Sequence, residues 1–308
     1  TERQQMKDIR NFDIFVKTEP IHKGWSGDRK YYLETKDGER FLLRVSDISS
    51  YETKQHEFEI MKKMSAAGIK MSLPISFGIC EEGKSVYLLL SWCDGEEAKE
   101  ALYHLSDAEQ YVFGRKAANV LKQMEAIDYK PPSQEWSQTY QGRVAHYIEL
   151  YRRCGYTFDG DDVIISFLRT QRHCIGERPT ALMHEDFQTD NMVISPDGEL
   201  YMIDFQMCGE TDPYLVMTGA GVSAMYSVPF AMGQIDGYFS KTVPEDFWQK
   251  YRYYMLAEML YAFTVGVKME EEREETLHMF DNEIKRIKYQ GSPIPMWYQK
   301  KFCYGKDE

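Results

Sequence analysis

Apolar and polar positions alternate along much of the first third of the chain, then recur at helical spacing. In RKYYLETKDGERFLLRV, residues 29–45, two strand-like runs flank Asp37-Gly38, which predicts a β-hairpin. A helix follows, with Ser49 and Glu52 read as an S-x-x-E capping box and Gly68 as its stop. VYLLL, Val86 to Leu90, reads as a further strand that closes on SWCDGEE. Beyond it Ser106 and Glu109 form a second capping box, and Val112, Val120, Leu121, Met124 and Ile127 recur at roughly helical spacing. YKPPSQ ends that element, a long helix is expected near Trp136 to Cys154, and more helices after Pro244. A β-rich first third and a helix-rich remainder, joined near Asp94, predict an α+β chain of two lobes, 1–93 and 94–308.

Length and charge narrow what such a chain does. Its 308 residues can bury a substantial core, and no run is long and apolar enough for a membrane span. The formal net charge of -12 disfavours nucleic acid or an anionic membrane as partner, and is compatible with a cationic substrate. The six cysteines are scattered without a CxxC pair. With no apolar h-region in the first fifteen residues, they lead to the expectation of a reducing cytoplasm. Aromatic residues reach 14%, including 22 tyrosines. They are read chiefly as core and rim packing, with cation stacking as the functional alternative.

The chemistry concentrates in HEDFQTDN, residues 184–191, and MIDF, residues 202–205. Between them lie two apolar runs and the turn residues Ser195-Pro196-Asp197-Gly198, a hairpin signature. With its midpoint between Asp197 and Gly198, Asn191 and Asp204 stand side by side at the open end, and Asp186 lies one short loop upstream. Oxygen ligands of this kind suit Mg²⁺, which keeps waters and pairs with substrate phosphates.

The pattern H-x-D-x-x-x-x-N followed by I-D-F resembles the catalytic and metal-binding segments of the protein kinase fold. Glu185 and Gln206 depart from protein kinases proper, and the closer resemblance is to the aminoglycoside phosphotransferase and choline kinase family. GETDPYL and GQIDGYF extend that likeness over most of the chain. The resemblance implies a two-lobed protein-kinase-like fold, with a small β-rich N-lobe and a larger helical C-lobe.

It also implies roles. Asp186 would orient or accept the proton of the attacking hydroxyl, and Asn191 and Asp204 would hold Mg²⁺. Gly24, Ser26 and Gly27 would cover the phosphates of ATP or GTP, and Ser91, Trp92 and Cys93 would take the adenine through their backbone. Where the family usually carries Lys on its third strand, FLLRV supplies Arg44, a fork able to grip phosphate or carboxylate. Alternation leaves open which way Arg44 faces. Its expected partner is a glutamate on the first helix. Glu57 shares a stripe with Met61 and Met64, whereas Glu59 has Lys62 and Lys63 beside it, so Glu57 is chosen. His184 would pack beneath the loop.

The function implied is transfer of the γ-phosphate of ATP to a hydroxyl of a small cationic molecule, aminoglycoside-like. Two alternatives stand beside it: a choline or ethanolamine-type kinase, and a nucleotide-binding protein without catalysis. Asp159, Asp161, Asp162 and Asp212 are acidic groups that could grip amines or merely cap loops.

Overall fold

A computed structural model of the chain describes residues 6–22, 27–129, 135–240, 242–269, 273–274, 276–277 and 292–299. In chain order it forms β1 (Phe15–Ile21), β2 (Arg29–Thr35), β3 (Arg40–Asp47), α1 (Tyr51–Ala66), β4 (Pro74–Cys80), β5 (Ser85–Ser91) and β6 (Glu96–Glu97). Then come α2 (Asp107–Glu125), α3 (Trp136–Arg153), α4 (Asp161–Thr170), β7 (Ala181–His184), β8 (Met192–Ile194), β9 (Leu200–Met202), α5 (Val228–Tyr238) and α6 (Phe247–Gly266). Short one-turn pieces join them.

Two compact units result, Thr1–His104 with Gln188–Gly209, and Leu105–Phe187 with Glu210–Glu308. The first unit therefore runs past the 93/94 boundary and takes in the hairpin of the quoted motif. Backbone bonding explains why. β8 pairs with β6, and Met202 accepts from the Ser72 N–H at 3.1 Å and donates to the Lys70 carbonyl at 2.9 Å.

In the first unit five antiparallel strands lie in the order β1-β2-β3-β5-β4. Tyr31, Leu33, Leu43, Val45, Tyr87 and Leu89 share one core with Met6, Ile9, Phe12 and Phe15. Side chains alternate across a pleated strand, so Arg44, between Leu43 and Val45, faces the other way. There α1 presents Lys54, Glu57, Ile60, Met61 and Met64, its buried stripe.

The ends of α1 have separate causes. Gly68, at φ +81°, donates to Ser65 and Ile69 donates to Met64, a complete Schellman stop. The capping box expected at Ser49 is absent. Instead the Ser49 N–H and hydroxyl both donate to Asp47, which caps the single 3-10 turn ahead of the helix.

The β2-β3 and β8-β9 hairpins of this unit use the same loop, Thr35-Lys36-Asp37-Gly38-Glu39 and Ser195-Pro196-Asp197-Gly198-Glu199. In each the Gly is left-handed, at φ +83° and +76°. In each the leading hydroxyl accepts from the Glu N–H, at 3.1 and 3.0 Å. These are three-residue loops rather than two-residue Asp-Gly turns, and the extra residue sets the register of both ladders.

The second unit is built on α2 against α5 and α3 against α6. Ser106 and Glu109 form the expected capping box. Val112 departs from expectation: it is exposed, because the buried stripe of α2 runs through Tyr111, Gly114, Ala118 and Leu121. Trp136, Tyr140, Tyr151, Tyr253, Tyr254 and Phe263 belong to one core, so much of the aromatic content is packing. Among the described residues, no helix is long and apolar enough to cross a membrane.

Two glycines let α2 and α5 approach. A Cβ on Gly114 would lie 2.0 Å from the Phe230 carbonyl oxygen, and one on Gly233 would lie 2.2 Å from that of Tyr111. Gly114→Ala is expected to destabilise by about 1–3 kcal/mol or more, since backbone rather than a flexible side chain must yield. An unchanged urea midpoint would show that the helices can part at no cost.

Candidate active site

Arg44 is 2% exposed, and it makes four hydrogen bonds and one further close ion contact, all to protein acceptors. Its Nε donates to Asp28 at 2.9 Å, and Nη2 lies 2.7 Å from the same carboxylate oxygen. Nη1 donates to Glu57 at 3.3 Å and to Asp204 at 3.1 Å, and Nη2 also donates to Gln206 at 3.0 Å. Lys54, one turn before Glu57, bridges Asp28 at 2.8 Å and Glu57 at 3.0 Å. Ser46 donates to the remaining Asp28 oxygen at 2.6 Å.

Burial alone would raise the Asp28 carboxyl. The Arg44 charge and the bonds from Lys54 and Ser46 outweigh it and hold Asp28 at about 2. For Arg44, burial likewise disfavours the charge, and Glu57, Asp204 and Asp28 overcome it. A guanidinium amid three carboxylates is the arrangement that lets a buried cation persist.

Asp204 reaches this cluster in a way the hairpin geometry did not anticipate. The observed pairs are Met192 with Met202 and Ile194 with Leu200, and the Ile203 N–H donates to the Asn191 carbonyl at 3.0 Å. Asn191 is thus opposite Ile203, and Asp204 stands one residue further on, a correction of the side-by-side placement. The three-residue loop accounts for the slip. A one-residue slip turns a side chain to the other face of a regular strand. Asp204 instead leaves the strand, with φ 56° and ψ 68°, a left-handed backbone uncommon outside glycine. Its carboxylate ends on Arg44.

The connecting segment is partly committed inward. The Ser91 N–H donates to Leu73, the Trp92 N–H donates to Arg40, and the Ser91 carbonyl accepts from the Ser72 hydroxyl. Among the described residues, the Cys93 N–H is the backbone donor of these three with no protein partner. Gly27 is exposed, has no left-handed backbone, and would meet nothing within 4 Å if it carried a Cβ. The fold itself therefore does not demand glycine there. Gly24 and Ser26 lie outside the described residues.

Asp186 belongs to the second unit, half-buried in the loop that follows β7. His184 is fully buried. Glu185 accepts from both terminal nitrogens of Arg143, at 2.7 and 3.4 Å, and Arg143 lies over the rings of Trp136 and Tyr140. Glu258 accepts from Tyr140 at 2.9 Å and Tyr147 at 3.4 Å, and burial raises its carboxyl against the Tyr140 bond and Arg143.

Two of the acidic candidates serve structure. Asp212 is fully buried, and accepts from Arg178 at 3.0 and 3.1 Å, from Tyr254 at 2.8 Å and from the Tyr214 N–H at 2.9 Å. Asp161 accepts from Tyr151 at 2.5 Å. A cavity of about 760 Å³ opens beside it, lined by Arg152, Tyr156, Asp162 and Arg169 among others. The acidic candidates Asp161 and Asp162 line it; among the described residues, those expected to serve catalysis, nucleotide or metal do not.

Asp28, Lys54 and Gln206 were not among the predicted site residues. Lys54 was within reach, since it falls on the same helical stripe that selects Glu57. Asp28 gives no sequence signal of its own, because only pairing of β2 with β3 brings it to Arg44.

Residues 17–241 match the sequence model of the phosphotransferase enzyme family, APH. The chain belongs to that family, and is a small-molecule phosphotransferase. No curated protein matches it significantly. Among solved structures, it is similar to the aminoglycoside phosphotransferase APH(4)-Ia, with 14% identity and a TM-score of 0.69 over 91% of this chain and 95% of that one. A choline/ethanolamine kinase family protein from Mesorhizobium loti gives 11% identity and a TM-score of 0.68, with 94% of each chain covered. The amicoumacin kinase hAmiN gives 15% identity and a TM-score of 0.61, with 91% of each covered. At these identities the likeness establishes the protein-kinase-like fold.

Removing the guanidinium should be costly. Arg44→Met leaves Asp28 and Glu57 buried around one remaining ammonium, and a loss of about 3–5 kcal/mol is expected in urea unfolding. A loss below about 1 kcal/mol would mean that water reaches the cluster and screens it.

Asp28 supplies a pH signature. Its folded value, about 2, lies below the ordinary 3.8, so its contribution is complete above pH 3.8 and fades as pH falls toward 2. Asp28→Asn should flatten the acid limb of the stability curve in that window. An identical limb in both proteins would remove Asp28 as its source.

Proposed function

We propose that this protein transfers the γ-phosphate of ATP to a hydroxyl of a small cationic molecule of the aminoglycoside type. The observation that carries the reading is the union of buried Arg44 and Glu57 with the partly exposed Asp204. It joins a strand cation, a helix carboxylate and the acid of the I-D-F segment at hydrogen-bond distances. A phosphoryl-transfer site needs these parts held in register before substrate arrives, because the catalysis lies in positioning and charge stabilisation. The hydrogen bond from Arg44 to Glu57 supports this reading, since a glutamate pairing is what the strand cation is expected to make.

Asn191 and Asp204 would hold Mg²⁺, and the fit rests on oxygen-only donors and on the left-handed turn that swings Asp204 out of its strand. Bound there, the ion would neutralise charge on the phosphates. Asp186 orients the acceptor hydroxyl and takes its proton as the bond to phosphorus forms. Cys93 offers its N–H to the purine edge. ATP is preferred to GTP on the strength of structural neighbours: one is hAmiN in complex with AMP-PNP, and another a thermostable mutant of APH(4)-Ia with ADP and hygromycin B.

A cationic acceptor fits the acidic balance of the chain. Choline and ethanolamine remain the second reading, supported by the structural likeness to a choline/ethanolamine kinase family protein.

The test is phosphate transfer from labelled ATP, with Mg²⁺, to a panel of aminoglycosides, choline and ethanolamine. Turnover of an aminoglycoside is expected, with a fall of about 10²–10⁴ in kcat for Asp186→Asn. Equal rates in the two proteins would remove Asp186 as the base. Transfer to choline alone would replace the acceptor class.

A further inference from the structure

We infer that Arg143 is a positioning residue for phosphate transfer: by clamping Glu185 it fixes the peptide that carries Asp186. The inference rests on the reading of Asp186 as the base, given above.

The loop after β7 is the starting point. In His184-Glu185-Asp186-Phe187 the outer residues are anchored in the core, His184 fully buried and Phe187 1% exposed. Asp186 lies half-buried between them. With its ends pinned, the loop can still turn the peptide planes on either side of Asp186, since each residue keeps two soft dihedrals. Glu185 restrains one of those planes. Its carboxylate accepts from Nη1 of Arg143 at 2.7 Å and from Nη2 at 3.4 Å, two contacts to one planar fork.

Arg143 is itself held in place. Trp136, Tyr140, Arg143 and Tyr147 recur at i, i+4, i+7 and i+11, along one face of α3. The guanidinium lies 5.7 Å from the ring centroids of both Trp136 and Tyr140, where the aromatic faces attract a cation. About one turn to either side, Tyr140 and Tyr147 donate to Glu258 of α6, at 2.9 and 3.4 Å. Burial works against the Arg143 charge, and Glu185 outweighs it, so the arginine pKa rises above its ordinary value. Arg143 in turn counters the burial that raises Glu258.

This pair differs from the exposed ion pairs that part freely in water. Its side chains are 28% and 17% exposed, and the cation has a seat of two rings. Apolar side chains of like volume often serve stability as well as a desolvated ion pair does. Fixed geometry is what the pair adds, and Asp186 is the next residue in the chain. Displacing a catalytic group by about 1 Å can cost on the order of 10² in rate.

The test separates an effect that passes through Asp186 from one on the fold. Transfer from labelled ATP, with Mg²⁺, to a panel of aminoglycosides, choline and ethanolamine is measured for the full chain and for Arg143→Met, Arg143→Lys and the milder Glu185→Gln. Arg143→Met is also made in the Asp186→Asn background, and ATP binding is followed by calorimetry. Arg143→Met is expected to lower kcat about 10–10²-fold, with ATP affinity and the KM for acceptor unchanged. Glu185→Gln should fall in the same direction, and Arg143→Lys, which keeps the charge without the fork, should recover part of the loss. In Asp186→Asn the Arg143 change should have no further effect, because residues that act as a unit are not additive.

Wild-type kcat in both Arg143→Met and Glu185→Gln would overturn the inference while leaving the kinase reading intact. An equal further fall in the Asp186→Asn background, or a matching loss of ATP affinity, would make Arg143 a packing residue. No transfer by the wild type to any member of the panel would overturn the proposed function and this inference together.

Discussion

Arg44 is a permanent positive charge placed where water is almost absent, and much of the first unit is arranged to make that tolerable. Desolvating such a group costs several kcal/mol, which must be offset by close, well-directed carboxylates. Those carboxylates come from the end of the first loop, from α1, and from the far end of a hairpin some 160 residues later in the chain. A charge that needs three acids needs three segments in place. The guanidinium therefore works as a positional check on the unit: strand, helix and hairpin are each held by it, and none can shift without exposing a buried ion.

The same demand explains features that look unrelated. The Schellman stop at Gly68 sets where α1 ends and so which residues face inward. The shared D-G-E loops set two registers, one that puts Lys30 opposite Arg44 and one that leaves Asp204 a residue beyond Asn191. The left-handed turn at Asp204 then redirects its carboxylate. A strained backbone next to a cluster of charges is a common mark of a site in which position takes precedence over local comfort.

The second unit follows a different logic. Several of its tyrosine hydroxyls are anchored on acids: Tyr254 on the buried Asp212, Tyr140 and Tyr147 on Glu258, Tyr111 on Asp236. These bonds let large rings fill a core without leaving a polar atom stranded. They also consume acidity that net charge alone would assign to substrate. Glu185, paired with Arg143 above aromatic rings, shows how a carboxylate adjacent to Asp186 in the chain is itself engaged by the protein.

Local pattern was enough to read the two-part α+β organisation, the capping box at Ser106, the stop at Gly68 and the choice of Glu57 over Glu59, because each depends on residues within one or two turns. The hairpin was legible but its register was not, since Asp-Gly serves both two- and three-residue loops and only the ladder distinguishes them. Val112 misled because an apolar side chain at roughly the right spacing still fell outside the buried stripe. Asp28, Lys54 and Gln206 escaped for a deeper reason: a buried charge selects its partners by distance in space. Sequence by itself determined the chemistry available, two acids and an amide in a recurrent spacing and an arginine where the family carries lysine. Only the folded sheet and helix decided what that arginine could do, because its donors are filled by groups that become neighbours when β2, β3, α1 and the hairpin close around it.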